Sequence, residues 1–548
     1  MHRNLFIALS LALPAGVMAQ TAVDAMSVSQ LDLRGTARFM SMGGAFTALG
    51  GDISTLNQNP GGIGVYRSSD IALTLDLEPQ SVKSSAGGFS DTNNQTKFSV
   101  NNFGYIGAVN TGSEVMPFFN WGVSYSRAAS FDRRYGGRLG ALGSSYTNLV
   151  ADYTSADAIS NSTLAETDTY NPYYSSAAPW SSILHYNSYG INPTAPGANS
   201  YVGLFDYDNS TGEGWYDIEE RGHVDEYSIN FGGNIMDMVY WGIGFGITDL
   251  SYSQYAYYDE SINNANVPDG NADAYTNGNA AYYNMSNYKH IWGSGFNFKA
   301  GVIVKPINEL RFGVAIHTPT YYNLSYEGQG FTDFSLNSPD YQNGDTYTGS
   351  YSTDFDEFDW KLQSPWRFMV GAAGVIGGRA IISADYEYRA YDAMKVKDWN
   401  GYNYNDVNDD VKVYYRSTNI LRLGAEYRLT PQWSVRAGYS YESSPVQAQL
   451  LDPSGDAATY VYTSGPQDTE TQPAYTLNRS TNYVSCGLGY KYKNFYADLA
   501  YVYRHRKSDY HAYTDYNENV DPGYLVQAPK ATLSDNNNQI VLTMGLRF

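Results

Sequence analysis

The chain carries a single cysteine, Cys486, in 548 residues. One cysteine excludes an internal disulfide and any cysteine-rich metal site. In a strand-like stretch it reads as a small apolar wall residue. Charge is also scarce: Asp, Glu, Lys and Arg make up 16%, against roughly a quarter in soluble domains. Basic residues number 34 against 55 acidic ones, for a net charge of −21, which argues against a nucleic-acid partner. Beyond the first twenty residues there is no apolar window of about 18, so no transmembrane helix is expected. Neither a Gly-x-Ser-x-Gly elbow nor a His-Glu-x-x-His pair occurs. The scattered His223, His290 and His505 declare no acid–base constellation. No enzyme activity, catalytic residue, cofactor or metal site is assigned. The run Asp206-Tyr207-Asp208-Asn209-Ser210 lacks the glycine that a calcium loop needs at its sixth position, and Asp406 to Asp410 reads as a solvated acidic loop.

What is abundant is tyrosine and glycine, 53 of each, with aromatics at 15%. This aromatic content disfavours disorder and suits an outer-membrane barrel, whose aromatic girdles ring both interfaces. Residues 1–19 read as a signal peptide. Arg3 is its positive region, Leu5 to Val17 its apolar core, and Val17-Met18-Ala19 places cleavage after Ala19. The apolar run is too short for a bilayer-spanning anchor.

Period-two alternation dominates the rest. Ile71, Leu73, Leu75 and Leu77 share one face, with Asp76 and Glu78 on the other. Ile382, Ala384, Tyr386 and Tyr388 repeat the pattern, as do Leu421, Leu423, Ala425 and Tyr427, and Ile540, Leu542, Met544, Leu546 and Phe548. Fourteen such segments are read, over 70–78, 97–109, 118–128, 223–235, 238–252, 291–305, 309–327, 358–376, 379–391, 415–428, 432–442, 479–492, 495–505 and 536–548. From the third onward, tight connections (305–308, 377–378, 429–432, 493–494) alternate with long polar ones (129–222, 253–290, 328–357, 392–414, 443–478, 506–535). That alternation is the pattern of periplasmic turns and extracellular loops. The expected fold is all-β: a transmembrane antiparallel barrel of about fourteen strands over 70–548, in the outer membrane of a Gram-negative bacterium. Both the N-terminal segment and the C-terminus are expected on the periplasmic side. The terminal Phe548 faces outward at the inner interface, where it can anchor the strand or signal to the barrel-assembly machinery.

Residues 20–69 lack strand alternation. Small residues suggest a helix over Arg34 to Leu49, closed by Gly50-Gly51. Asp52 can cap a second short helix, ended by Asn59-Pro60. A compact segment with a small-residue face fits a barrel lumen, so 20–69 is expected to be a partly helical hatch. Its motif of Gly43, Gly44, Asp52, Asn59, Pro60, Gly61 and Gly62, within Gly35-Thr36-Ala37-Arg38 … Asn59-Pro60-Gly61-Gly62, resembles the hatch of the FadL/TodX family of outer-membrane transporters for long-chain fatty acids and other hydrophobic compounds. Gly61 departs from the family's usual alanine, and the excursion 129–222 is too long for loop residues to be carried over.

The resemblance implies capture of a hydrophobic ligand by loops, displacement of the hatch and sideways exit past a kinked third strand. Outer-membrane lipid and lipopolysaccharide would be its surroundings. Proline and glycine weaken strand pairing, making Pro117, Asn120 and Gly122 the lateral-opening candidates. Parity turns Arg311, Arg367, Asp385, Glu387, Arg389, Arg422, Glu426, Arg436, Asp498 and Arg504 inward, with His317. Such charges pair with each other or hold a plug, or receive a substrate carboxylate. In the long loop, Trp180, Ile183, Leu184, Val202, Leu204 and Phe205 either pack a loop core or capture ligand. The resemblance leaves two other readings open: a haem receptor, a label some relatives carry and which the abundant tyrosines neither support nor exclude, and a non-transporting scaffold for secreted proteins.

Overall fold

Alternating residues become a wall only when every strand edge is paired. A computed structural model describes residues 21–270, 274–339, 346–452, 461, 469–517 and 525–548; the expected signal peptide lies outside them. Fourteen strands run β1 Asp70–Ala86, β2 Phe89–Asn110, β3 Phe118–Ser130 continued by Arg133–Ala141, β4 Thr211–Ile235, β5 Val239–Asn263 and β6 Ala280–Ile307. They continue as β7 Leu310–His317 with Tyr321–Asn337, β8 Asp356–Gln363 with Arg367–Ile376, and β9 Ala380–Arg389 with Lys395–Asp398. Then come β10 Thr418–Arg428, β11 Trp433–Glu442, β12 Tyr475–Tyr492, β13 Phe495–His511 and β14 Lys530–Arg547. Each pairs antiparallel with the next, and β14 returns to β1 from Asp70↔Arg547 upward, closing the barrel. A spanning strand in lipid has no other partner for its N–H and C=O groups, so closure is obligatory.

The outer face is the apolar parity set. Phe245, Ile247, Phe296, Val314, Val370, Ile382, Leu421, Leu423 and Leu499 are all exposed, forming the band that lipid would cover. Cys486 belongs to this face. The strands run well past the expected boundaries: β4 starts at Thr211 rather than 223, β5 continues to Asn263 rather than 252, and β6 starts at Ala280 rather than 291. Above the band both faces of these extensions carry polar residues and tyrosines, so the two-residue hydrophobic signal fades while the ladder continues. The breaks in β7 and β8 fall at Pro319 and Pro365, which have no N–H to give.

At the long-loop end, residues 142–205 fold into a cap. Its helices α3, Tyr146–Ala156, and α4, Trp180–Asn187, pack with Leu204 and Phe205 onto Tyr216, Tyr258, Tyr283 and Tyr510 of the strand extensions. Glu260 of β5 fastens it, accepting hydrogen bonds from Ser145 Oγ, from the Tyr146 N–H at 2.9 Å and from Tyr258 OH at 2.7 Å. Among the described residues no cation pairs with it, and burial pushes its carboxyl from 4.5 up to about 7. The folded cap thus holds this proton more tightly than the unfolded chain does. Its stability is greatest below pH 4.5 and falls as the pH rises toward 7.

Two outcomes are expected. With a fluorophore at the exposed position 174, cap unfolding occurs at a lower temperature at pH 8 than at pH 5, and Glu260→Gln removes the difference. Leu423→Arg, in mid-band, costs about 2–4 kcal/mol in reversible urea unfolding from bilayers, whereas the same change at Tyr427 near the turn costs less.

Candidate functional site

The lumen is filled by the chain's own N-terminal segment. α1, Ala22–Ser29, starts with a capping box between Thr21 and Asp24. It lies toward the long-loop end, against Val224, Leu250, Tyr252, Tyr326 and Tyr415, and Asp24 pairs with Lys289 at 2.6 Å. The segment therefore begins at the opposite end of the barrel from the one expected, descends through residues 30–35 and only then forms a compact body. That body is α2, Ala37–Ser41, followed by two 3₁₀ turns, Ile53–Asn57 and Pro60–Val65. It ends where Ser69 and Phe548 exchange backbone hydrogen bonds of 2.9 and 3.0 Å. Phe548 is exposed at this short-turn end.

The helix expected over Arg34 to Leu49 is only five residues long. Gly43 and Gly44 take φ of +61° and +75° and end it, because the chain must turn against the wall. A Cβ on Gly43 would lie 2.8 Å from the Tyr439 carbonyl. Asp52 caps the first 3₁₀ turn through the Ser54 N–H at 3.0 Å, and it also accepts from Thr36 Oγ1 at 2.8 Å. Asn59, expected to end that turn, instead caps the next one through the Gly61 N–H at 2.9 Å, and donates to Thr47 O at 2.6 Å. Pro60, Gly61 and Gly62 are buried. Wall glycines meet this body face to face: a side chain on Gly301, Gly313 or Gly438 would collide with Asn59, Thr47 or Gly43.

Every inward charge read from parity lies in the lumen. Arg367, Arg389 and Arg422 converge on Glu387 at 2.8, 2.7 and 2.7 Å. Arg436 bridges Glu426 and Asp498 at 2.6 Å each. Several hold the N-terminal segment directly. Arg311 donates to Leu49 O at 2.7 Å, Asp385 accepts from Thr47 N, and Glu426 pairs with Arg38 at 3.0 Å. Arg504 pairs with Asp32 at 3.0 Å, and His317 Nε2 bonds Gln58 O at 2.8 Å. Sequence reading missed the partners on the segment itself. Arg34 forks onto Glu78 with two 2.7 Å bonds. The signal was present, since parity already turned Asp76 and Glu78 inward.

Between segment and wall lies a cavity of about 110 Å³ bordered by Asp32, Arg34, Ser126, Glu226, Lys299 and Arg422, among others. It is polar and holds several waters at most, because ligand pockets for larger molecules run roughly 300–1,000 Å³. A hydrophobic ligand of any length fits only after the segment moves.

At the lateral-opening candidates the wall is continuous. Pro117 O accepts from Thr111 N at 3.0 Å, and Asn120 and Gly122 pair with both β2 and β4. Asn120 secures the N-terminal segment, donating to Ile63 O at 2.7 Å and Tyr66 O at 3.0 Å. The ladder between β2 and β3 stops higher, at Asn102↔Ser126. There β3 bulges between Arg127 and Ala129 and breaks before Arg133. Above that point side chains hold the seam, among them the Lys97–Asp132 ion pair and Asn93 Nδ2 donating to Gly136 O.

Trp180, Ile183, Leu184, Leu204 and Phe205 are buried in the cap core and Val202 lies beside them half-buried, so they present no open capture surface. The Asp206 carboxylate is used in its own turn, by Asp208 N at 3.0 Å and Asn209 Nδ2 at 2.9 Å. Among the described residues no three His, Cys, Asp or Glu side chains are placed to hold a metal ion.

Two expectations follow. Asn120→Ala takes the amide donor from Tyr66 O and from Ile63 O, which keeps the Tyr66 N–H, and costs about 1–3 kcal/mol, read as earlier release of the N-terminal segment to protease than of the barrel. Gly313→Val pushes Thr47 off the wall and raises single-channel conductance in planar bilayers.

No family model matches the chain, and no curated protein matches it in sequence. Solved structures do resemble it. A Pseudomonas aeruginosa FadL homologue is 12% identical, with a TM-score of 0.51 covering 94% of this chain and 99% of that one. The Pseudomonas putida toluene transporter TodX is 12% identical with a TM-score of 0.47, and the Ralstonia pickettii toluene transporter TbuX 13% identical with 0.43, both over 94% of this chain and 99% of theirs. The fourteen-stranded barrel described here therefore shares its fold with the FadL homologue.

Proposed function

We propose that this chain is an outer-membrane channel for small hydrophobic molecules, long-chain fatty acids among them, and that the solute leaves sideways through the wall. The observation that carries this is the β2–β3 seam: backbone pairing stops at Asn102↔Ser126 beside a lumen cavity bordered by Ser126, Arg127 and Ala128. Both axial routes are obstructed. The cap covers the long-loop end, and the glycine-packed body of residues 36–66 fills the short-turn end. A barrel blocked at both ends, with a side-chain-held seam between, suits a solute that partitions into lipid. The shared fold with the structure described as a FadL homologue supports the same reading. In this reading residues 1–19 are removed on export, 20–69 are the hatch, the long loops are extracellular, and Phe548 is available to the barrel-assembly machinery. Neither cofactor nor energy coupling is required of the chain itself.

The test is uptake of a fatty acid into proteoliposomes loaded with a fatty-acid-binding reporter. In a Cys486→Ala background, Lys97→Cys and Asp132→Cys are bridged by a reducible bifunctional thiol reagent. Bridging is expected to stop uptake and reduction to restore it. Uptake unaffected by bridging sinks the lateral route. No uptake by the unmodified chain, together with a stably co-purifying protein, turns the assignment to a scaffold.

A further inference from the structure

The N-terminal segment is held in two different ways. Residues 36–66 meet the wall through close glycine contacts, although Phe39, Ser54, Asn57 and Gln58 also border a cavity. Residues 21–35 are instead surrounded by cavities, of about 110, 40 and 60 Å³, which all border Asp32. Two of them share Arg389 and two share Arg504 and Arg506, so they form one crevice around the descending chain. Twice as many cationic side chains as carboxylates border it, and Glu78, Glu387 and Asp535 behind the lining pair with Arg34, with Arg367, Arg389 and Arg422, and with Arg504 and Arg506. Arg422 Nε and Nη1, and the Nε atoms of Arg34, Arg504 and Arg506, are buried and find no hydrogen-bond acceptor among the described residues. The acids on the wall side are Asp132, Glu220, Glu226 and Glu442. The remaining one, Asp32, comes from the segment itself.

Asp32 sits at a junction. Its Oδ1 accepts from Arg504 at 3.0 Å, and its Oδ2 lies 3.6 Å from Arg34 Nε. The same Oδ2 accepts from the Ser130 N–H at 3.2 Å, and its own N–H donates to Ala128 O at 3.0 Å. Those last two bonds are made at the bulge and break of β3. One carboxylate thus ties together two guanidinium groups, the cavity-lined part of the segment and the interrupted strand.

We propose that the Asp32 carboxylate is a built-in competitor: the oxyanion head of an arriving amphiphile takes its place on Arg504 and Arg34, and its departure frees residues 21–35 and the β3 break together. This rests on reading the lumen as a solute path. Arg504 and Arg34 keep Asp535 and Glu78 as partners throughout, so what an arriving head can take is the place of Asp32 itself, where charge-assisted bonds to guanidinium are strong. Coupling needs no further device, since the bonds lost at Arg504 and at Ser130 belong to the same side chain.

The experiment measures binding of octanoate, and of octanol as its uncharged counterpart, to the full chain in nanodiscs by equilibrium dialysis. Asp32→Asn, which keeps the shape and removes the charge, is expected to tighten octanoate about tenfold by removing the competitor while leaving octanol unchanged. Asp32→Glu, which keeps the charge, is expected not to show this tightening. Octanoate binding unchanged or weakened in a folded Asp32→Asn barrel, judged by its heat-modifiable gel shift, overturns the proposal. A second measurement needs no variant. Saturating octanoate, but not octanol, should expose residues 21–35 of the wild-type chain to protease, and equal protection with both overturns it as well. If octanoate binds and exposes the segment yet proteoliposomes show no uptake, the transport assignment fails and the competitor role stands. If uptake occurs without either effect, the reverse holds.

Discussion

A strand that crosses lipid can give its N–H and C=O groups only to another strand, and the continuous ladder from β1 to β14 and back answers that demand. Everything else in the molecule is arranged around the ladder. Outside, alternate residues are surrendered to apolar contact. Inside, the other set is free to carry charge, provided that charge is paired away from bulk water. An unpaired buried arginine would be far costlier than an exposed one, so the inward Arg, Asp and Glu residues must find each other or something brought in among them.

The N-terminal segment is what is brought in. It contributes Asp24, Asp32, Arg34 and Arg38 to a mesh whose other members come from the wall. It also presents backbone carbonyls to Arg311 and Arg389. The lower body is held by shape as well as charge, because glycine stands on both sides of the contact. The upper stretch is held by the apolar packing of α1 and, below it, by charge and backbone bonds among small cavities. That difference in fastening, rather than any difference in sequence character, separates a fixed part of the plug from a part that can exchange its contacts.

The interruption in β3 gains its meaning from this arrangement. A bulge in an isolated sheet merely twists a strand. Here it lies where β2 and β3 part, beside the polar cavity, and under the hydrogen bonds of Asp32. The Pro117 and Gly122 positions, which composition marked as weak, are stiffened by Asn120, whose amide clasps two carbonyls of the plug. Weakness in a strand is decided by what packs behind it, and the wall is strongest where the plug body leans on it.

The sequence by itself determined the barrel. Strand number, order, the inward and outward sets and the rhythm of short and long connections follow from period-two alternation and turn residues, because in a two-sided wall each residue's environment depends on its own parity. It also determined that 20–69 is not wall. Only the tertiary structure decided how that segment lies: that α1 begins at the far end, that the expected long helix stops at Ser41, and that Arg34 reaches Glu78 while Asp32 reaches Arg504. It likewise decided that the apolar residues around Trp180 and Leu204 are a core and not a surface. These are contacts between positions tens to hundreds of residues apart in an irregular segment with no period. Local chemistry there fixes only which bonds are possible, and the closed wall selects among them.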